Sequence, residues 1–378
     1  MNRVFIRSAG LVPVGEHWEK GLADLMYEAA SNALLEVPDV KPDKIIVGNM
    51  FSGYAEHQEQ LGSLLASALG MAGVSAIKVE AACGSGGVAV HEGYLSIKSG
   101  EYENVLVVGV EKMKDMGTGK ATKALSMAES AEYTQVTGAS FISLNALLSK
   151  VYMAHYGRKD EEMASFPVIA HRNGVTAGHA QFRKEISVKD VLSSAIIADP
   201  IRLLSSPPAG DGAAAVLLSS KGGEVEVLAS EVATNQFIFQ ERENLLDFMA
   251  SRIASSRALA KAGIDLSMID FMEVHDAFPV VAALALESMG ISKPGMAPID
   301  AMNGRFNGDG ELPIGTFGGL KARGHPVGAT GAYQVAEAYL QLSGGAGKNQ
   351  IGGAKIGLTH NVGGIDSTCA VHVLRSAI

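Results

Sequence analysis

The chain has 378 residues, a formal net charge of -9, 47% hydrophobic residues, 44 glycines and two cysteines. That length exceeds an ordinary single core, the acidic balance argues against general nucleic-acid binding, and two cysteines are too few for a disulfide framework or a zinc site. No run approaches the ~20 apolar residues of a membrane span and none at the start reads as a signal peptide, so a soluble cytoplasmic protein is expected.

Met1 to Gly15 reads as an opening strand. Asp24 to Leu35 is an amphipathic helix, Lys44 to Val47 a strand, and Gln60 to Leu69 an alanine-rich helix. Ser75 to Val79 is a short apolar run suited to a buried strand, and Val88 to Lys98 is a helix that stops at Ser99-Gly100. Between them stands Ala81-Ala82-Cys83-Gly84-Ser85-Gly86-Gly87. Cys83 thus sits at a strand-to-helix turn, where unpaired N–H groups and a partial positive charge favour a thiolate over a thiol. A small cysteine that merely packs is an equal reading of the turn alone. Its glycines weaken a helix start, so they need a reason such as close approach of another backbone or of a substrate.

Val105 to Val110 reads as a central parallel strand. Beyond Lys112 the pattern changes, and Met113 to Ala139 has little periodicity. Helices are expected at Ser143 to Tyr156 and Glu161 to Arg172. Asp115 to Ser194 carries nine Lys/Arg against eight Asp/Glu, a near-neutral segment that suits a polyanionic ligand or an ordinary solvated surface. Order returns at the strand Ala213 to Ser219, and Lys221-Gly222-Gly223 reads as a hinge. The expected division is an N-terminal half, 1–220, with an insertion at about 115–194, and a C-terminal half, 221–378.

The second half repeats the logic of the first: a strand at Glu224 to Ala229, a helix at Asn244 to Ala262, and a strand at Met268 to Val274. The polar turn His275-Asp276-Ala277-Phe278 follows, then a helix to Met289. Gly324-His325-Pro326-Val327-Gly328-Ala329-Thr330-Gly331 opens a helix with apolar residues at Ala332, Val335, Ala336, Tyr339 and Leu340. Two closing strands, Lys355 to Thr359 and Thr368 to Leu374, flank His360-Asn361-Val362-Gly363-Gly364. Strands alternating with helices give an α/β fold. In each half a glycine-rich turn at a helix start carries the reactive side chain, Cys83 and then His325, which implies two similar lobes across a shared site.

His275, His325 and Asn361 lie on three polar turns that converge on Cys83 in this reading. An imidazole accepts the thiol proton, and Gly363 and Gly364 leave N–H groups free for a developing oxyanion. Each histidine alone reads as structural. A single cysteine with several glycine-framed histidines reads as thioester chemistry.

These motifs resemble the thiolases, particularly the archaeal-type acetyl-CoA acetyltransferases (acetoacetyl-CoA thiolases) and the related sterol-carrier-protein-type thiolases. The resemblance spans nearly the whole chain, through the Cys83 turn, Ser206 to Ala215, His275 to Phe278, Gly324 to Gly331 and Asn361 to Gly364. It implies the thiolase fold: two similar βαβαβαββ halves in a five-layered α-β-α-β-α arrangement, with an inserted loop domain whose Tyr156 to Ile186 covers coenzyme A. By position, Cys83 is implied as the acylated nucleophile, His325 as its activator, and Gly363 with the Cys83 amide as the oxyanion hole. His275 stands where many thiolases have Asn. Asn361 departs from the biosynthetic and degradative types, which carry a second catalytic cysteine there. Asparagine does not titrate usefully, and the remaining Cys-His-His set resembles that of β-ketoacyl synthases. Cys369 is expected to pack.

The implied activity is condensation of two acetyl-CoA to acetoacetyl-CoA and CoA, a first step toward mevalonate and isoprenoids. The alternatives are a bulkier 3-oxoacyl-CoA as substrate, or a catalytically silent scaffold subunit. Coenzyme A thioesters are the substrates, with no cofactor or metal implied. Implied partners are further copies in a homodimer or homotetramer, a zinc-ribbon/OB-fold acyl-CoA-binding protein, and 3-hydroxy-3-methylglutaryl-CoA synthase.

Overall fold

The computed structural model describes residues 2–378. The strands in chain order are β1 (Phe5–Leu11), β2 (Lys44–Gly48), β3 (Ser75–Val79), β4 (Asn104–Glu111), β5 (Ile196–Ala198), β6 (Ile201–Arg202), β7 (Gly212–Ser219), β8 (Val225–Thr234), β9 (Phe271–Glu273), β10 (Ile356–Gly363) and β11 (Thr368–Ser376). β5 and β6 pair by themselves, and the other nine form one ladder ordered β3-β2-β4-β7-β1-β8-β11-β10-β9. The apolar runs Val105–Val108 and Ala213–Leu218 are buried throughout, as strands covered by helices on both faces must be.

The ladder is two corresponding halves. Parallel β2/β4 corresponds to parallel β9/β10, antiparallel β4/β7 to antiparallel β10/β11, and β1 and β8 extend each half antiparallel to β7 and β11. The halves meet through only two residue pairs, Phe5 with Glu226 and Ile6 with Val225. β3 finds its counterpart in a single parallel bridge between Met272 and Ile314. The third strand of the second half is therefore vestigial, because Pro313 beside Ile314 has no N–H to extend a ladder.

Helices Ser85–Lys98 and Thr330–Ser343 pack side by side between the half-sheets, while Leu22–Leu35 and Met249–Ala262 cover the outer faces. The result is five layers. The glycines of the two turns serve the inner contact. A Cβ at Gly331 would fall 2.1 Å from the Gly87 nitrogen, and one at Gly86 would fall 2.7 Å from the Ala332 nitrogen. Close approach of a second backbone is the reason the sequence required.

Some local expectations shift. β3 is the sheet edge, with Ile77 39% exposed, so its apolar run is not buried. β10 runs on through His360, Asn361 and Gly363, because β11 supplies pairing partners as far as Thr368. The helix expected from Asn244 starts at Met249, where the Asp366 carboxylate accepts from the Ala250 and Ser251 N–H groups. Glu161 to Arg172 divides into Asp160–Met163 and Ser165–Gly174, and the aperiodic stretch after Lys112 contains a helix at Thr118–Ser126. Among the described residues no helix is long and apolar enough to cross a membrane.

Candidate active site

The Cys83 turn is strained and braced. Ala82 has a φ of 50°, a left-handed conformation unusual for a residue with a side chain. The Ser85 hydroxyl holds it there, accepting from Ala81 N–H at 2.9 Å and donating to the Ala82 carbonyl at 2.6 Å. The end of β10 abuts this turn so closely that a Cβ at Gly363 would lie 2.1 Å from the Ala81 carbonyl oxygen. Only glycine fits.

Asn361 connects the predicted residues. Its Oδ1 accepts from Gly87 N–H at 3.0 Å, and its Nδ2 donates to the Cys83 carbonyl at 3.2 Å. These two backbone partners orient the amide. Nδ2 also lies 3.2 Å from His275 Nδ1, and since an amide nitrogen only donates, Nδ1 must accept. The hydrogen-bond network thus assigns the His275 proton to Nε2. The His275 ring meets His325 edge to face, with centroids 5.2 Å apart. His325 Nδ1 is 2.6 Å from the Thr330 hydroxyl. Behind them, His275 N–H donates to His360 Nδ1 at 3.4 Å, and His360 leans through Ser251 on Asp366.

Cys83, His275, His325 and the β10 residues Asn361 and Gly363 are therefore linked from four separate stretches of chain. Cys369 lies fully buried in the core on β11. Three features were missed in the sequence: the left-handed Ala82, the Thr330 partner of His325, and the charge pair Arg323–Glu337 behind the histidine turn. Thr330 and Arg323 stand in or beside the motif, but their spacing has no unique reading.

Burial governs the electrostatics. It pushes the Cys83 thiol up to about 12, with the Glu111 carboxylate adding to the effect. It pulls His325 down to about 3, reinforced by the Arg323 charge, and holds His275 well below its ordinary range. The helix start was expected to favour a thiolate, but desolvation outweighs it. The resting pair is a neutral thiol and neutral imidazoles, so ionisation has to accompany the reaction. Cys83 belongs to a buried apolar cluster with Met50, Phe51, Met113, Met116 and Val327. Among the described residues no group of three or more His, Cys, Asp and Glu is placed to hold a metal ion.

The amide of Asn361 thus joins the strand-to-helix cysteine turn to the paired histidines across the two half-sheets, and the family models match both halves. Residues 4–222 match the model described as thiolase, N-terminal domain, and residues 231–376 the one described as thiolase C-terminal domain-like. The chain belongs to the thiolase family. It is 37% identical to the acetyl-CoA acetyltransferase of Methanothermobacter thermautotrophicus and 34% identical to that of Methanocaldococcus jannaschii, covering 99% of both chains in each case. It is also 30% identical to human sterol carrier protein 2, over 96% of this chain and 70% of that protein. A solved structure titled Ltp2-ChsH2(DUF35) aldolase superimposes with a TM-score of 0.84 at 18% identity, covering 99% of this chain and 98% of that one. At that identity the likeness is one of fold. The thiolase architecture expected from the motifs is the one observed.

Proposed function

We propose that this thiolase-family protein is an acetyl-CoA C-acetyltransferase that joins two acetyl-CoA into acetoacetyl-CoA and CoA through an acyl-Cys83 intermediate. The observation that carries the reading is the amide of Asn361, which ties the Cys83 turn to His275 and so to His325. The two archaeal relatives named acetyl-CoA acetyltransferase support the substrate.

In the first half-reaction His325 takes the thiol proton as Sγ attacks the thioester carbonyl. The oxyanion faces the Cys83 and Gly363 amides, the C–S bond to coenzyme A breaks, and the leaving thiolate takes the proton from His325. His325 is then neutral again. In the second half-reaction it removes a Cα proton from the next acetyl-CoA, while His275 donates from Nε2–H to the enolate oxygen. The enolate carbon attacks the acyl carbon, Cys83 leaves as thiolate, and His325 returns the proton to it. Atoms and protons balance without a second cysteine. His275 is the enolate donor in this scheme and Asn361 sets its tautomer.

The buried apolar cluster that includes Cys83 favours a small acyl group over a bulkier one. The open edge of β3, with Ile77 exposed, offers a surface for a second copy in a homo-oligomer. The proposed partnership with an acyl-CoA-binding protein and 3-hydroxy-3-methylglutaryl-CoA synthase rests on family resemblance. Incubation with acetyl-CoA should add one acetyl mass to the Cys83 peptide, and acetoacetyl-CoA should follow. Label at Cys369, or none from any acyl-CoA, overturns the reading.

A further inference from the structure

Two residues before His325 stands Arg323, the largest of the fully buried side chains among the described residues. Its Nε lies 3.3 Å from Glu337 Oε1, with both side chains 0% exposed, and its guanidinium sits 4.8 Å from the Tyr333 ring centroid. The same Glu337 oxygen meets His179 Nε2 at 2.8 Å. The turn is also stitched to the inserted region: Gln181 N–H donates to the Arg323 carbonyl at 3.1 Å, and Phe182 N–H to the Ala322 carbonyl at 2.9 Å. Helix Thr330–Ser343 and the inserted region thus both reach the histidine turn here, while the buried guanidinium nitrogens of Arg323 have no hydrogen-bond partner and meet Glu337 as charge alone.

A buried ion pair is a poor device for stability, because desolvation offsets the attraction and apolar side chains would serve as well. Its place beside the base is the better explanation. The titratable and charged groups on the elements packed about His325 are His275 after β9, with His360 of β10 behind it, Glu111 at the end of β4 on Gly328 N–H, Cys83 in the cluster with Val327, and Arg323 on its own turn. Glu337 and Glu273 flank the guanidinium. Arg323 is the one cation in this set apart from histidine. It opposes an imidazolium at His325.

We propose that Arg323 and Glu337 are a positioning pair for His325, holding its turn against the following helix through their buried charge contact. The proposal rests on His325 being the base for Cys83. The test compares the full chain with Arg323→Met, which removes the charge, and Arg323→Lys, which keeps it. Alkylation of Cys83 by iodoacetamide and single-turnover acylation by acetyl-CoA are followed from pH 5 to 8. Arg323→Met should slow both roughly 10–100-fold, the cost typical of losing a partner that orients a reacting imidazole, with the KM for acetyl-CoA unchanged. It should also move the acid limb of the alkylation profile upward. Arg323→Lys should stay within a few fold of the wild type. If Arg323→Met does not fold, the double variant Arg323→Met/Glu337→Gln leaves no unpaired buried charge and should show the same slowing. A folded Arg323→Met with wild-type rates overturns the proposal, and so does a loss that Arg323→Lys fails to restore. Wild-type protein whose Cys83 is alkylated but never acylated would instead defeat the acetyl-CoA reading and leave the pair standing.

Discussion

Glu111 is the last residue of β4 and Asn361 lies two residues before the end of the corresponding strand β10, and each reaches across to the helix-start turn of the opposite half. Glu111 accepts from Gly328 N–H on the histidine turn, and Asn361 accepts from Gly87 N–H on the cysteine turn. There the likeness stops. Glu111 is filled by donors, taking Met50 N–H at 2.9 Å and Asn49 Nδ2 at 2.7 Å as well, so as a carboxylate it can only brace. Asn361 also donates, to the Cys83 carbonyl and to His275 Nδ1. Each half sends a brace across to the other from the end region of its strand, and the amide, which donates as well as accepts, also orients an imidazole.

The comparison depends first on Cys83 being the nucleophile between the two braces. Cys83→Ala should abolish acyl-enzyme formation and condensation while leaving the fold intact, as checked by mass spectrometry and circular dichroism. Measurable condensation in that variant would remove the premise.

Next in size is the donor role that Asn361 gives to His275. His275→Ala should lower condensation and solvent-deuterium exchange at the acetyl methyl roughly 10²–10³-fold, with Cys83 acylation within a few fold of wild type. His275→Asn, which retains an N–H donor, should recover part of that loss. Equal collapse in both variants would favour His275 as the base.

Asn361→Asp makes the amide resemble its counterpart. It abolishes both donated hydrogen bonds and should slow condensation roughly 10–100-fold, since the tautomer of His275 is no longer fixed. Glu111→Gln is the mirror experiment. Its amide nitrogen would face N–H donors, so the expected loss is ~1–3 kcal/mol of stability, read as a lower denaturation midpoint.

The smallest effect is a pH dependence of stability. Burial holds His325, His360 and His372 at about 3, against an ordinary 6.5. Between those values the unfolded chain binds protons that the folded chain refuses, so stability is lost as pH is lowered, by up to ~1.4 kcal/mol per unit for each histidine. The buried carboxyls oppose this. Glu111 and Glu129 are pushed up to about 7, and Asp276 and Asp366 to about 6, so the folded state holds protons that the unfolded state loses above about 4. The two sets offset one another between about pH 4.5 and 6.5. Denaturation midpoints should change little there and drop steeply below it.

Much of the architecture was legible because each element carried its own periodicity. Lys44–Gly48, Ser75–Val79 and Thr368–Ser376 were read almost to the residue. Errors came where a distant partner decides. β10 extends through Asn361 because β11 is there to pair with it, and Ile77 is exposed because β3 happens to end the sheet.

For the candidate site, the residues that the fold links together were legible in the sequence. A cysteine and a histidine, each in glycine-rich turns at helix starts, with a polar turn at His275 and an asparagine at 361, are local patterns that need no coordinates. Their states were decided by tertiary structure alone. A helix start argues for a thiolate, yet the free energy of an ion depends on everything within several ångströms, and here packing from both halves keeps Cys83 a thiol and His325 an imidazole. The tautomer of His275 likewise follows from an amide 86 residues away, oriented by a glycine of the opposite half. Periodicity and spacing act along the chain, whereas desolvation and hydrogen-bond direction act through space, and only the folded arrangement fixes them.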